Sequence, residues 1–293
     1  MPIAVDTTLL ESVRRIAPVI REHSDEAEQQ GRLSRPAVDA MLETGLLRLL
    51  TPRSLGGLEV DPVTYTRVVE EVSGYDSAAG WTLTNPVGWA FLCSRLPDQG
   101  AEEILGTDAK ALIAAAGSLP VQALPVSGGY RISGQTSLVS NCHDATWLTT
   151  NVIVMEGGHP RKRQDGTPEV LRMYLPIEDC QIIKTWSVLG MRGTGSDDVA
   201  VHDAFVPAHR TFPFIPEFKP GTHFQGPLYR FPLIGIVAGA IPPVMLASAR
   251  QAVDAVFRLA QEKTPFGSAT LLRERASTQA KLAQAEAALR SAL

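Results

Sequence analysis

The apolar residues Leu9, Leu10, Val13, Ile16, Val19 and Ile20 recur at helical spacing among charged neighbours, which predicts a helix over 6–30. Pro18 marks a kink or a restart inside it, and Gly31 ends it. Ser34 ahead of Pro36 offers a cap and a pre-set first turn, so a second helix is expected over 36–43. After a loop at 50–62, helices are expected over 62–73 and 76–95, the latter carrying Trp81, Asn85 and Trp89 on one face. A short fifth covers 97–105.

Near Ala111 the pattern becomes alternating, and turn residues recur to about Pro207. Strands are expected over 112–116, 122–126, 130–133, 137–140, 147–155, 170–175 and 181–186, with a hairpin turn at Gly128-Gly129. Short strands in series without intervening helices predict a small barrel or sandwich, mostly antiparallel. Helix returns over 233–262 and from Leu271 onward, where Leu272, Ala276, Ala280, Ala283 and Ala287 share a small-residue face suited to close packing. The expected fold class is thus α+β in three domains: helical over 1–110, β over 111–225, and a helical bundle over 226–293 that reads as incomplete. The last helices have few partners for their apolar faces, so a longer natural chain or coverage by other subunits is expected.

Composition narrows the class. With 44% hydrophobic and 20% charged residues the chain lies in the globular range. A balance of 27 Lys+Arg against 31 Asp+Glu, net −4, argues against nucleic-acid binding. The basic triplet Arg161-Lys162-Arg163 lies between Gly157-Gly158 and Asp165-Gly166 and reads as a hairpin loop. The stretch 231–249 is uncharged and long enough for a membrane span, but Pro232, Pro242, Pro243, Gly235 and Gly239 interrupt it. A helix buried within an oligomeric protein is the preferred reading, with no membrane association. Cys93, Cys142 and Cys180 form no close pair or metal spacing, and no apolar signal region opens the chain, so a reduced cytoplasmic setting is expected.

Candidate chemistry concentrates in the stretch from Trp186 to Pro207. Its apolar approach leads into Gly190, Gly193 and Gly195, interleaved with Arg192, Thr194 and Ser196, and Val199 and Val201 then alternate. This predicts strand, polar turn, strand, with glycines that allow close backbone approach to a ligand and side chains that donate to an anion or a polar ring. No Gly-x-Gly-x-x-Gly fingerprint, phosphate loop, His-Glu-x-x-His or Gly-x-Ser-x-Gly is present, so a metal site and the common nucleotide and hydrolase motifs have no support. Ser196, Asp197 and His202 are neighbours along one turn and strand rather than a convergent triad.

The order helices, small β domain, helices, with Leu-Gly-Met-Arg-Gly-Thr-Gly-Ser-Asp-Asp-Val at 189–199 and Val206-Pro207, resembles the acyl-CoA dehydrogenase fold over essentially the whole chain. Within it, the chain most resembles the two-component (group D) flavin-dependent monooxygenases, including hydroxylases of phenols and steroid-derived phenols and dibenzothiophene monooxygenases. Leu-Gly-Gly-Leu-Glu-Val-Asp-Pro at 55–62, Asp-Ser-Ala-Ala-Gly-Trp at 76–81, and Gly128 to Gly134 running on to Ser140, His143 and Trp147 carry that likeness. The Thr-Glu-Pro and Gly-Ser-Asp signature usual in the dehydrogenases is replaced here by Ala116-Gly117-Ser118-Leu119-Pro120.

The resemblance implies reduced FMN or FAD as cofactor, delivered by a separate flavin reductase, with O2 and a small aromatic or polycyclic molecule as substrates and a homo-oligomer (dimer or tetramer) as the assembly. By the same resemblance Ser140 donates a hydrogen bond near flavin N5 beside Leu138 and Val139, and Ala115, Ala116 and Gly117 lie along the isoalloxazine. It further implies that Trp81 packs near the ring and that Lys263 meets the flavin phosphates, often across a subunit boundary. The resemblance also implies that Arg192, Thr194 and Ser196 border the flavin or substrate mouth, with Asn85 and Trp89 as further candidates for substrate binding. His143 is the nearest histidine candidate for catalysis, and the family's own catalytic histidine or glutamate is expected beyond Leu293. Aromatic residues common around the serine are replaced by Thr136, Leu138 and Asn141. The competing readings are FAD-dependent dehydrogenation of an acyl-CoA thioester and a non-catalytic flavin-binding fragment.

Overall fold

A computed structural model describes residues 6–106, 110–116, 121–214 and 220–292. The helices α1 (Thr7–Glu22), α2 (Ser24–Gln30), α3 (Arg35–Glu43), α4 (Pro62–Ser73), α5 (Ser77–Leu92) and α6 (Asp98–Ala101) precede the strands, and α7 (Leu233–Glu262) and α8 (Ala276–Ala292) follow them. Short polar side chains set the starts: Asp6, Asp61 and Asp76 each accept from a backbone N–H of the first turn. The break in the first helical stretch falls at His23, not Pro18. Pro18 sits on the exposed face, where water can serve the carbonyl that its missing N–H leaves free.

Among the described residues nine strands form one mixed sheet: β1 (Ile113–Ala115), β2 (Val121–Val126), β3 (Gly129–Val139), β4 (Trp147–Glu156), β5 (His159–Pro160), β6 (Val170–Pro176), β7 (Cys180–Ile183), β8 (Asp197–Pro207) and β9 (Thr211–Pro213). The order is β7-β8-β3-β2-β4-β6-β9, with β1 and β5 also on β4. Most pairings are antiparallel, but β1 and β2 both run parallel to β4. The two strands expected at 130–133 and 137–140 are one, because β3 stays paired with β8 through irregularities at Ile132/Gly134 and Thr136/Val139. The strand expected at 181–186 stops at Ile183, since Thr185 and Trp186 turn their N–H groups onto the Asp197 carboxylate instead of a ladder.

Two apolar clusters hold the molecule. One joins α1, α3, α4 and α5 with Tyr174, Phe212, Phe224 and Tyr229, and the other fills the sheet with Ile132, Leu148, Val152, Met173 and Val201. Glu103, just after α6, accepts from both His209 and Arg210 and so ties the helices to the chain after β8. The Arg210 and His209 contacts lower its pKa from 4.5 to about 2. A folded value below the unfolded one contributes stability that is fully present above pH 4.5 and lost as the pH falls toward 2. Glu103→Gln is therefore expected to flatten the acid limb of the stability profile over that window, as read from urea midpoints against pH; an unchanged limb would count against the ion pair.

The last two helices correct two expectations. In α7, Ile236, Ala240, Val244 and Ala247 pack toward α4 and α5, but Ile234, Ile241, Met245 and Phe257 are exposed, so the helix is buried on one face only. Its length and composition would permit a membrane crossing, and 28% of its most apolar window is buried. In α8, Leu289 is buried and Leu282 half-buried, while Ala276, Ala280, Ala283 and Ala287 face solvent. The larger residues win the contact because Glu286 beside them pairs with Arg250 of α7 and fixes the helix's rotation.

Candidate functional site

Trp81 on α5 and Ser140 just after β3 meet across the helix–sheet boundary, with the indole Nε1–H donating to Ser140 Oγ at 3.0 Å. Two backbone positions make this possible. Leu138 and Asn141 flank the segment with φ of 60° and 66°, a conformation that non-glycine residues adopt at a cost and that functional sites commonly retain. Asn141 also donates from Nδ2 to Thr82 O on α5 at 2.9 Å, and its N–H donates to Thr194 O at 2.9 Å, so one residue clamps helix, sheet and the glycine-rich turn.

The turn from Trp186 to Ser196 closes the other side. Met191 takes φ 58° and Gly195 takes 52°, while Gly193 lets the backbone pass close to Ala27 and Ala78, where a Cβ would lie 3.3 Å and 3.1 Å from theirs. The close approach that Gly193 permits is therefore to α2 and α5, not to a ligand. Asp197 anchors the turn: its Oδ1 accepts from the Thr185 and Trp186 N–H groups at 2.7 Å each, and Oδ2 lies 2.6 Å from His143 Nε2. Burial would raise the Asp197 pKa, but the Trp186 N–H, His143 and the Thr185 N–H outweigh it and hold the carboxyl below its ordinary value.

These elements enclose a cavity of about 270 Å³ lined by Trp81, Leu138, Ser140, Trp186, Met191, Thr194, Ser196 and Met245. A second cavity of about 130 Å³ lies between α4, α5 and α7, and Trp81 lines both. Its walls include Tyr65, Asn85, Trp89, Val237 and Ile241. Asn85 fixes the Trp89 indole, accepting from its Nε1 while donating to the main-chain carbonyl of Trp81, both at 3.2 Å. Tyr65 is buried, and its hydroxyl has no hydrogen-bond partner among the described residues. Beneath Trp89 lies Arg172, 3% exposed, its guanidinium 4.3 Å from the ring centroid and bonded to Thr149 and Asn151. Burial pushes the Arg172 pKa down to about 10.

Several expected site residues lie elsewhere. His143 opens with Arg32, Lys184 and Trp186 onto a separate cavity of about 660 Å³, so it does not share the Ser140 cavity. Arg192 points away to α2, its Nε donating to Glu28 O at 2.8 Å, because the turn it sits on docks there. Ala115 and Ala116 are buried within the sheet; Ala115 bridges to Ser140 without lining the cavity, and Val139 is likewise buried. Lys263 caps the C-terminal end of α7, exposed and away from that cavity. Gly117 lies outside the described residues. Met191 and Met245 were given no role from the sequence, and Asp197 was weighed only as a neighbour of Ser196 and His202; for Asn141, an asparagine flanked by strand residues is a known signal for positive φ.

Cys142, His143 and Asp197 lie close enough together to suggest metal ligands. In this structure they bond one another and the backbone: Asp197 accepts from the Thr185 and Trp186 N–H groups and lies 2.6 Å from His143 Nε2, and Cys142 Sγ donates to Gly195 O at 3.4 Å.

The fold and the cleft at the helix–sheet boundary place the chain among acyl-CoA dehydrogenase-like proteins, and residues 6–103 match the family described as acyl-CoA dehydrogenase, N-terminal domain. The pigment production hydroxylase of Rhodococcus sp. (strain ATCC 21145) is 30% identical over 275 residues, covering 92% of this chain and 68% of that protein. Indole-3-acetate monooxygenase of Pseudomonas putida is 32% identical over 273 residues, covering 93% and 67%. Among solved structures, XiaF from Streptomyces sp. in complex with FADH2 and glycerol superposes with a TM-score of 0.84 at 26% identity, over 97% of this chain and 71% of that one. The chain belongs to the acyl-CoA dehydrogenase superfamily, in the branch of the flavin-dependent monooxygenases.

Proposed function

We propose that this chain is the oxygenase component of a two-component monooxygenase, accepting reduced FMN or FAD from a separate reductase and using O2 to oxidise a small aromatic or polycyclic substrate. The observation that carries the reading is Trp81, the shared wall between the cavity at Ser140 and the smaller one at Tyr65 and Asn85. The larger cavity fits a flat heterocycle: two indoles, two methionine side chains and Leu138 supply apolar faces, and Ser140 supplies one polar contact at the edge. None of its lining residues is Lys or Arg, so the ring end of the cofactor fits here and a phosphate holder is not among these side chains.

When bound, reduced flavin would supply the electrons that activate O2. The chain's own residues position and enclose. Trp81, its indole held by Ser140 Oγ, would set the distance between ring and substrate, and Leu138, Met191 and Met245 would exclude water. In the smaller cavity the unpartnered Tyr65 hydroxyl is held un-ionised by burial, which raises its pKa, and is ready to donate to a polar substituent on the substrate ring. Tyr65→Phe is expected to raise KM for a hydroxylated aromatic about threefold to tenfold with little change in kcat, as steady-state rates would show. A KM unchanged across such substrates would remove Tyr65 from recognition.

The test of the whole reading supplies reduced flavin and isotope-labelled dioxygen with a panel of phenols and indoles, and follows label into product by mass spectrometry. Oxygen-independent consumption of a CoA thioester, coupled to an electron acceptor, would instead establish a dehydrogenase. The exposed apolar face of α7 supports assembly with further copies of the chain, as a dimer or tetramer. Contact of β6 with β8 supports reading the sheet as a small barrel. Free cysteines support a cytoplasmic setting.

A further inference from the structure

Four hydrogen bonds run in series from Trp81. Its Nε1–H donates to Ser140 Oγ at 3.0 Å; Ser140 Oγ lies 2.8 Å from Ser196 Oγ; Ser196 Oγ lies 2.7 Å from Thr194 Oγ1; and Thr194 Oγ1 lies 2.9 Å from Met191 O. An indole nitrogen can only donate and a carbonyl oxygen can only accept. Three hydroxyl protons serve the three bonds beyond Trp81, and only one assignment satisfies all of them. Thr194 donates to Met191, Ser196 to Thr194, and Ser140 to Ser196. The Ser140 proton is thus committed away from the cavity that Ser140 lines, and what remains toward it is a lone pair.

We propose that Ser196 and Thr194 are positioning residues that make Ser140 an acceptor, so that the cavity selects reduced over oxidised flavin. The inference rests on the flavin reading above. A flavin's central-ring nitrogen N5 carries a hydrogen in the reduced form and is a bare acceptor in the oxidised form. A lone pair on Ser140 complements the first and opposes the second. The expectation that Ser140 donates to the ring is reversed accordingly. Donation to oxidised flavin would require every hydroxyl in the series to turn round, which removes the bond from Thr194 to Met191. Met191 O would still accept from Trp186 Nε1 at 3.2 Å and from the Thr194 N–H at 3.2 Å, so the reversal costs about one hydrogen bond and stays within reach. The site discriminates between redox states without any charged side chain.

The experiment titrates oxidised and, anaerobically, chemically reduced FMN and FAD against the wild-type chain and three variants, reading flavin and tryptophan fluorescence. Wild type is expected to favour the reduced form. Thr194→Val keeps the shape but removes the last hydroxyl, so the pair Ser140 and Ser196 can point either way at no cost. Its affinity for oxidised flavin should rise about fivefold to tenfold with the reduced-form affinity unchanged. Ser196→Ala should shift the same ratio in the same direction, and serves if the valine variant fails to fold. Ser140→Ala should narrow the ratio from the other side, by weakening the reduced form. Equal shifts of both redox forms in Thr194→Val and Ser196→Ala, or none, would overturn the assignment while leaving the flavin reading intact, as would equal wild-type affinity for the two forms. Failure of wild type to bind either form would overturn both.

Discussion

Gly80→Ala should be among the most damaging single substitutions in the chain, lowering the unfolding free energy by about 3 kcal/mol or more. A Cβ at this position on α5 would fall on Ser73 Oγ and within 2.8 Å of Ser73 Cβ, at the end of α4. Ser73 cannot swing aside cheaply, because it is fully buried and its hydroxyl donates to Val69 O at 2.6 Å. The two helices would have to separate, and Trp81, the next residue along α5, would move with them. For a chain of this size the loss corresponds to a fall in Tm of about 6–12 °C, measurable by calorimetry. A melting curve that matches wild type would mean that α4 and α5 have slack.

Asp197→Ala is expected to cost about 3–5 kcal/mol, since it leaves the Thr185 and Trp186 N–H groups and His143 without their acceptor in a site where Asp197 is 6% exposed. The effect should reach the cavity, because those bonds hold the approach to Met191. Asp197→Asn keeps the Oδ1 acceptor and should lose less than half as much. Because the folded carboxyl titrates below its ordinary 3.8, the stability that it contributes is present above that pH and lost as the pH falls below it. Denaturant unfolding of both variants and wild type at neutral and acid pH checks the order: the alanine variant should be the least stable at neutral pH, and both variants should be less sensitive to acid than wild type.

Much of the helical part was legible in the sequence because its signals are local. Asp61-Pro62 and Asp76 set the starts of α4 and α5, and α7 matches the helix expected over 233–262 even though Pro242 and Pro243 lie inside it. The sheet was less so. Gly134, at φ 146°, splits the alternation of β3 into two apparent strands, although pairing with β8 carries across the irregularity. The burial of α8 depends on Arg250, 36 residues from Glu286, which no periodicity within α8 reports.

At the site, the family likeness pointed to Trp81 and Ser140, and the fold brings them together from 59 positions apart. The same likeness pointed to Arg192, which this chain's contacts turn onto α2, and to Lys263, which is exposed at the end of α7. Which way the Ser140 hydroxyl faces was beyond any sequence pattern. It depends on a main-chain carbonyl, Met191 O, whose position follows from a left-handed residue in the turn.

The placement of the four tryptophans gives the molecule built-in optical probes. Trp89 and Trp147 each lie beneath an arginine, Arg172 and Arg210, whereas Trp81 and Trp186 face the cavity at Ser140. Emission from the second pair overlaps flavin absorption, so occupancy of that cavity is expected to quench it by energy transfer. Single Trp→Phe variants would then assign each component of the signal, and cavity filling could be timed in a stopped-flow instrument without an attached dye.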